Sequence, residues 1–151
     1  MELVVAEIVR DFKDVHAQMR SVVRELNPAR LSWQPAPNTN SIAVLVVHTL
    51  GSEAEVLRIV SRTPTDRDRD AEFRAEDVDT AHLLRLLDAA DALLDDLGPK
   101  ITPSDLVEPR PRRDNPPQSG LHWLMTNYGH AREHLGQLLL TAQLAVERAQ
   151  D

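Results

Sequence analysis

Four amphipathic segments separated by proline-rich or charged connections predict an all-α fold, a four-helix bundle. Two observations carry that reading. Apolar residues recur at three- and four-residue spacing in four long stretches, and no stretch alternates convincingly with period two over the length of a strand. The 151 residues fit one domain, 1–151, long enough to bury a sizeable core.

The first helix is predicted over residues 2–26, where Val5, Ile8, Phe12, Val15, Met19, Val22 and Val23 line one apolar face and Asn27-Pro28 ends it. Residues 27–40 read as a loop with prolines at 28, 35 and 37. Asn40 or Ser41 then caps a second helix over about 41–62. Its opening, Ser41-Ile-Ala-Val-Leu-Val-Val-His48, is apolar on all sides and rich in β-branched residues, so a short strand competes there. The spacing of Leu50, Val56, Leu57, Ile59 and Val60 favours helix. Residues 63–77 are charged, lack periodicity and read as an exposed connection.

Asp79 or Thr80 caps a third helix whose buried side is Leu83, Leu84, Leu86, Leu87, Ala90, Leu93, Leu94 and Leu97, with Gly98-Pro99 as a stop. Residues 99–119, with six prolines and three arginines, form a second long loop. Ser119 or Gly120 opens a last helix that reaches to about Arg148. Loops of this length can cross an end of the bundle and wall a site.

Composition removes several functions. With no cysteine there are no disulfides, thiolate ligands or cysteine nucleophiles. A net charge of −7 without a basic stripe argues against nucleic acid. No run approaches 18 uncharged apolar residues, so no membrane span is expected. Glu2 and Glu7 stand where a signal peptide would be basic, which points to the cytoplasm.

The chemistry lies in the histidines. His130 and His134 are four apart, one turn along the same helix face, so their imidazoles can converge on one ion. On a helical wheel they share a stripe with Gln137 and Thr141, with Asn127 at its edge. The stripe borders an apolar sector of Leu124, Tyr128, Ala131, Leu135, Leu138, Leu139 and Ala142. His48 lies within an apolar run, where an unpartnered imidazole is costly. Three histidines with open positions suit a catalytic divalent metal. A core histidine bonded to a carbonyl or hydroxyl is the competing reading of His48, and chance surface placement that of the pair. His16, His82 and His122 read as surface or boundary residues.

Two blocks resemble the DinB/YfiT-like superfamily. One is Leu31-Ser-Trp-Gln-Pro-Ala-Pro-Asn-Thr-Asn-Ser-Ile-Ala-Val-Leu-Val-Val-His-Thr-Leu-Gly-Ser-Glu; the other is Tyr128-Gly-His-Ala-Arg-Glu-His-Leu-Gly-Gln137. The resemblance implies an up-down-down-up bundle, often a homodimer. It also implies a divalent metal, nickel or zinc, held by His48, His130 and His134. Relatives of known chemistry are thiol-dependent transferases or isomerases that use a low-molecular-weight thiol such as mycothiol or bacillithiol. In the isomerases one ligand of the second pair is a glutamate, so His130 departs from their pattern.

The expectation is therefore a metal-dependent enzyme acting on a small-molecule substrate, a thiol-dependent transferase or a hydrolase. The alternative is a non-catalytic metal- or ligand-binding protein. Asn127 and Gln137 are candidates to orient the ligand rings, and Glu55 is a weak candidate base. Arg110, Arg112 and Arg113 read as solvated loop charges, with an anion-binding role as the lesser option. Helices richer in Leu and Val than one bundle seam requires suggest a homodimer through helix faces.

Overall fold

The computed structural model describes residues 1–75 and 78–148. Four long helices carry the fold: α1 (Leu3–Glu25), α3 (Ile42–Val60), α5 (Thr80–Leu97) and α7 (Gly120–Glu147). Between them lie the short helices α2 (Pro28–Leu31), α4 (Arg69–Glu72) and α6 (Pro103–Val107), and a hairpin of β1 (Pro109–Arg112) and β2 (Asn115–Ser119). The helix starts follow their caps. The side chains of Ser41, Asp79 and Ser119 accept hydrogen bonds from the backbone N–H groups of Val44, His82 and His122, satisfying donors the first turn leaves unpaired. The strand alternative at 41–48 does not form.

Side-chain pairs fix the topology. Lys13 meets Asp95 and Arg20 meets Asp88, so α1 and α5 run antiparallel. His48 meets His130 and Ser52 meets Asn127, so α3 and α7 are antiparallel as well. Phe12 touches Tyr128 edge-on, and Val22 and Leu26 share a groove with Leu139 and Val146, so α1 and α7 run parallel. The result is an up-down-down-up bundle with α1 and α3 on one diagonal. Phe12, Val15, Met19, Leu45, Leu57, Leu83, Leu94 and Leu138 fill its centre. Each large apolar side chain buried there contributes about 1.5–3 kcal/mol. Leu139, expected in the apolar sector, is instead 38% exposed. It falls just past the edge of the face that α7 turns to α1 and α3.

The connections differ most from expectation. The segment 99–119 contains a capped helix and an antiparallel hairpin, because Thr102 and Asp105 close a reciprocal capping box and Arg112 pairs with Asn115 across a two-residue turn. Short strands dense in proline leave no alternation to read. Asp105 ties the hairpin to the bundle: it accepts from Arg62 at the end of α3 (2.7 Å) and from Arg110 of β1 (2.8 Å). Burial opposes its charge, but hydrogen bonds from Thr102 and Arg62 prevail and hold the carboxyl at about 2. Gly120 permits the contact of α7 with α6, since a Cβ there would lie 2.1 Å from the Asp105 carbonyl oxygen.

His16, expected near the surface, is fully buried on the bundle diagonal. Its Nε2 meets Glu53 of α3 at 2.8 Å and its Nδ1 meets Asp91 of α5 at 2.7 Å; Arg20 closes the far side of Asp91. The correction has a physical cause. A carboxylate from α3 across the diagonal and one from the adjacent α5 satisfy both ring nitrogens, so a charged imidazole is tolerated in the core.

Burial works against the His16 charge, but the two carboxylates outweigh it and raise its pKa above the ordinary 6.5. Burial raises the pKa of Glu53, against the opposing influence of His16. Both shifts mean that the folded chain holds protons the unfolded chain releases. The His16 contribution is complete below about pH 6.5 and is lost as pH climbs through the raised folded value. Urea unfolding free energies should therefore fall as pH rises above about 6.5. His16→Gln should flatten that fall, and at about pH 6 it should cost about 3–5 kcal/mol. Equal slopes for the two proteins would contradict a charged His16 held by Glu53 and Asp91.

Candidate metal centre

Three histidines expected to converge are brought together at the α3–α7 seam. One ligand atom from each of His48, His130 and His134 lies within 4.8 Å of the others. The Nε2 atoms of His130 and His134 are 2.9 Å apart, and those of His48 and His130 are 3.3 Å apart. His48 is buried and the pair on α7 half-buried.

Ring orientation follows from the opposite nitrogens. His48 Nδ1 donates to Glu72 Oε2 at 2.9 Å, and His134 Nδ1 donates to Gln137 Oε1 at 2.8 Å. Donation through Nδ1 leaves the Nε2 lone pairs of His48 and His134 facing inward, onto the third ring. The single nitrogen of His130 that faces them has at most one proton to offer two lone pairs, and its buried Nδ1 has no partner among the described residues. Burial, then the neighbouring His134 and His48, push the His130 pKa down to about 4, so the ring is neutral at physiological pH. Three ring nitrogens converging on one point fit a divalent cation.

Glu72 is the residue that sequence reasoning missed. It sits on the short α4, inside the segment expected to be an exposed connection, yet it is buried. Arg67 grips it through Nε (2.6 Å) and Nη2 (2.7 Å). Burial tends to raise the Glu72 pKa, but Arg67 and His48 together lower it, so the acceptor for His48 stays ionised. Gly51 makes room: a Cβ there would lie 2.0 Å from Glu72 Oε1. A lone glycine in a helix signalled this close approach, but nothing in the sequence identified the partner.

Of the other candidates, Gln137 bonds the His134 ring, whereas the Nδ2 of Asn127 donates to Ser52 Oγ at 2.8 Å. Glu55 is no base. Arg67, Arg112 and Arg113 surround it at 2.9–3.1 Å, and although burial works the other way, these cations lower its pKa. Arg110 and Arg112 are correspondingly not solvated loop charges but side chains packed against carboxylates, at 14% and 16% exposure. Beside the histidines opens a cavity of about 230 Å³, lined in part by Ser52, Asn127, Arg112 and Arg113. His82 and His122 are exposed on other faces.

Glu72 should be movable without touching a histidine. Gly51→Ala is expected to displace it from His48 and lower affinity for a divalent ion by about tenfold or more. Competition titration against a chromophoric chelator reads this, and an affinity equal to wild type would remove Glu72 from the account.

The fold recurs in solved structures. A conserved protein from Enterococcus faecalis superposes with a TM-score of 0.81 at 16% identity, over 97% of this chain and 99% of that one. A DinB-like protein from Bacillus cereus ATCC 10987 gives 0.73 at 14% identity, over 91% and 90%. No curated protein matches the sequence. The sequence model of the DinB superfamily matches residues 11–138, a span that runs from α1 to α7 and includes all three histidines, and the chain belongs to that superfamily.

Proposed function

We propose that the protein is a divalent-metal-dependent enzyme, holding nickel or zinc through His48, His130 and His134 and acting on a small molecule, with a low-molecular-weight thiol as the co-substrate to test first. The observation that carries this reading is the inward set of Nε2 atoms with two of their Nδ1 atoms anchored outside. A divalent ion held only by neutral imidazoles keeps its full charge and lowers the pKa of a bound water or thiol toward neutrality. The chain's own contribution is orientation. Glu72 and Gln137 fix the tautomers of His48 and His134, Arg67 keeps Glu72 ionised, and Phe73 lies against the His48 ring at 4.6 Å between centroids. The adjoining cavity gives a small molecule access to the histidines, which favours catalysis over a closed structural site.

Metal content measured by mass spectrometry after loading and dialysis should be about one ion per chain. His48→Ala, His130→Ala and His134→Ala should each reduce it close to zero, and Glu72→Gln should weaken affinity by about 10–100-fold. Metal-loaded protein should then accelerate the loss of a thiol in the presence of an electrophile, and the histidine variants should not. Undiminished metal uptake by all three variants would refute the site.

We also propose a homodimer. Leu140 and Leu144 lie on the outer side of α7 at 57% and 38% exposure, one turn apart, beside a groove shared with Pro35 and Leu45. Light scattering should return about twice the 16.9 kDa chain mass. Leu140→Glu combined with Leu144→Glu should return the single mass; a wild-type monomer at high micromolar concentration would count against this.

A further inference from the structure

The cavity beside the histidines has an unusual wall. Arg67, Arg69, Arg112 and Arg113 all line it, and among the described residues no carboxylate does. In a chain of net charge −7 this is a local inversion of sign. The carboxylates that balance it, Glu55 and Glu72, stand behind the guanidinium groups.

Each arginine is held in place. Arg67 is locked between Glu72 and Glu55, with its side chain 6% exposed. Arg112 bonds Glu55 and Ser52 and lies over the Trp123 ring at 5.6 Å. Arg69 lies over Phe73 at 4.9 Å, and Phe73 in turn covers His48; Arg69 has no ion pair among the described residues. Arg113 shares Glu55 with two other arginines and remains 40% exposed.

Arg113 occupies the tip of the hairpin at φ 53°, the positive φ that a two-residue hairpin turn requires at its first position, and the turn holds it at the rim of the cavity.

We propose that Arg69 and Arg113, backed by Arg67 and Arg112, form an oxyanion-binding subsite facing His48 and His130, and that the molecule processed there is a small anion bearing a carboxylate or phosphate. Guanidinium groups offer several N–H donors in a planar fork, so partial engagement by Glu55 leaves donors for a second oxyanion. The subsite itself stands on the arginines; the assignment of its ligand as substrate rests on the metal-enzyme reading above.

The test uses full-length protein, metal-free and metal-loaded, titrated with inorganic phosphate, with succinate, and with succinamide as the neutral control. Calorimetry gives affinity, and fluorescence read in a Trp33→Phe background, where Trp123 beneath Arg112 is the only tryptophan, gives location. Phosphate or succinate should bind the metal-free protein while succinamide does not. Arg113→Gln and Arg69→Gln should each weaken that binding about tenfold, equivalent to about 1.4 kcal/mol, and Arg113→Lys should restore part of it. Binding by succinate alone identifies a carboxylate ligand, and by phosphate alone a phosphate. Both substituted positions are exposed, and unchanged melting curves will show that the variants fold. Failure of both anions to bind, or equal affinity in wild type and both glutamine variants, overturns the proposal. Metal uptake, followed in parallel, separates the two readings. Anion binding without metal binding keeps the subsite and removes the metal enzyme, and metal binding without anion binding does the reverse.

Discussion

The geometry of the histidine centre depends on one carboxylate. Glu72 takes the Nδ1 proton of His48 on one oxygen and both arms of Arg67 across the two. Without it the buried His48 ring could place its proton on either nitrogen, and the inward lone pair would not be assured. Arg67 is equally necessary, because a buried carboxylate with only a neutral ring for company tends to protonate and would then cease to be a pure acceptor. The chain of dependence therefore runs from a loop arginine, through a short-helix glutamate, to an imidazole in the bundle interior. Gly51 belongs to the same chain, since any side chain at that point would stand where Glu72 must be.

The same helix serves two polar networks. α3 is buried on nearly every side, which explains why its opening reads as apolar all round. Glu53 turns toward α1 and α5 to meet His16, while His48, Ser52 and Glu55 turn toward α7 and the hairpin. The divergence follows from helical pitch: neighbouring residues point about 100° apart. The His16 network contributes to the bundle and the Glu55 network to the site. Both are ionic, and both are costly to break on one side only.

The long helices and their caps were legible in the sequence because each rests on local physics: apolar spacing, a capping oxygen, a terminal glycine or proline. The three histidines were legible for the same reason on α7, where a four-residue interval fixes a shared face, and through the blocks resembling the superfamily for His48. Glu72 and Arg67 were not. They lie in a charged, aperiodic stretch, and their importance arises only when that stretch folds back onto α3, a tertiary event with no local signature. His16 was misjudged because its neighbours in sequence, Val15 and Ala17, say nothing of Glu53 and Asp91, which come from other helices. The hairpin escaped notice because strands of four and five residues containing four prolines leave no period to detect.

Scaffold and connections divide the work of the site in a way their mechanics explain. Convergence of three nitrogens on one ion tolerates displacements of only about half an ångström, and packed helices hold side chains to that precision. The histidines accordingly stand on α3 and α7, with Leu45, Leu135 and Leu138 fully packed in the surrounding core. Charge recognition is less exacting in position, because Coulombic attraction declines gradually with distance. The arginines accordingly come from the two connections, on segments that Asp105, Glu55 and Glu72 pin to the bundle. Loop residues can change without repacking the core, whereas a displaced helix would disturb all three histidines at once. A bundle of this kind can therefore keep the geometry of its histidine cluster constant while the charge and shape of the adjoining cavity vary. Sequence change within residues 63–75 and 99–119 can therefore alter the wall of the cavity without moving the histidines.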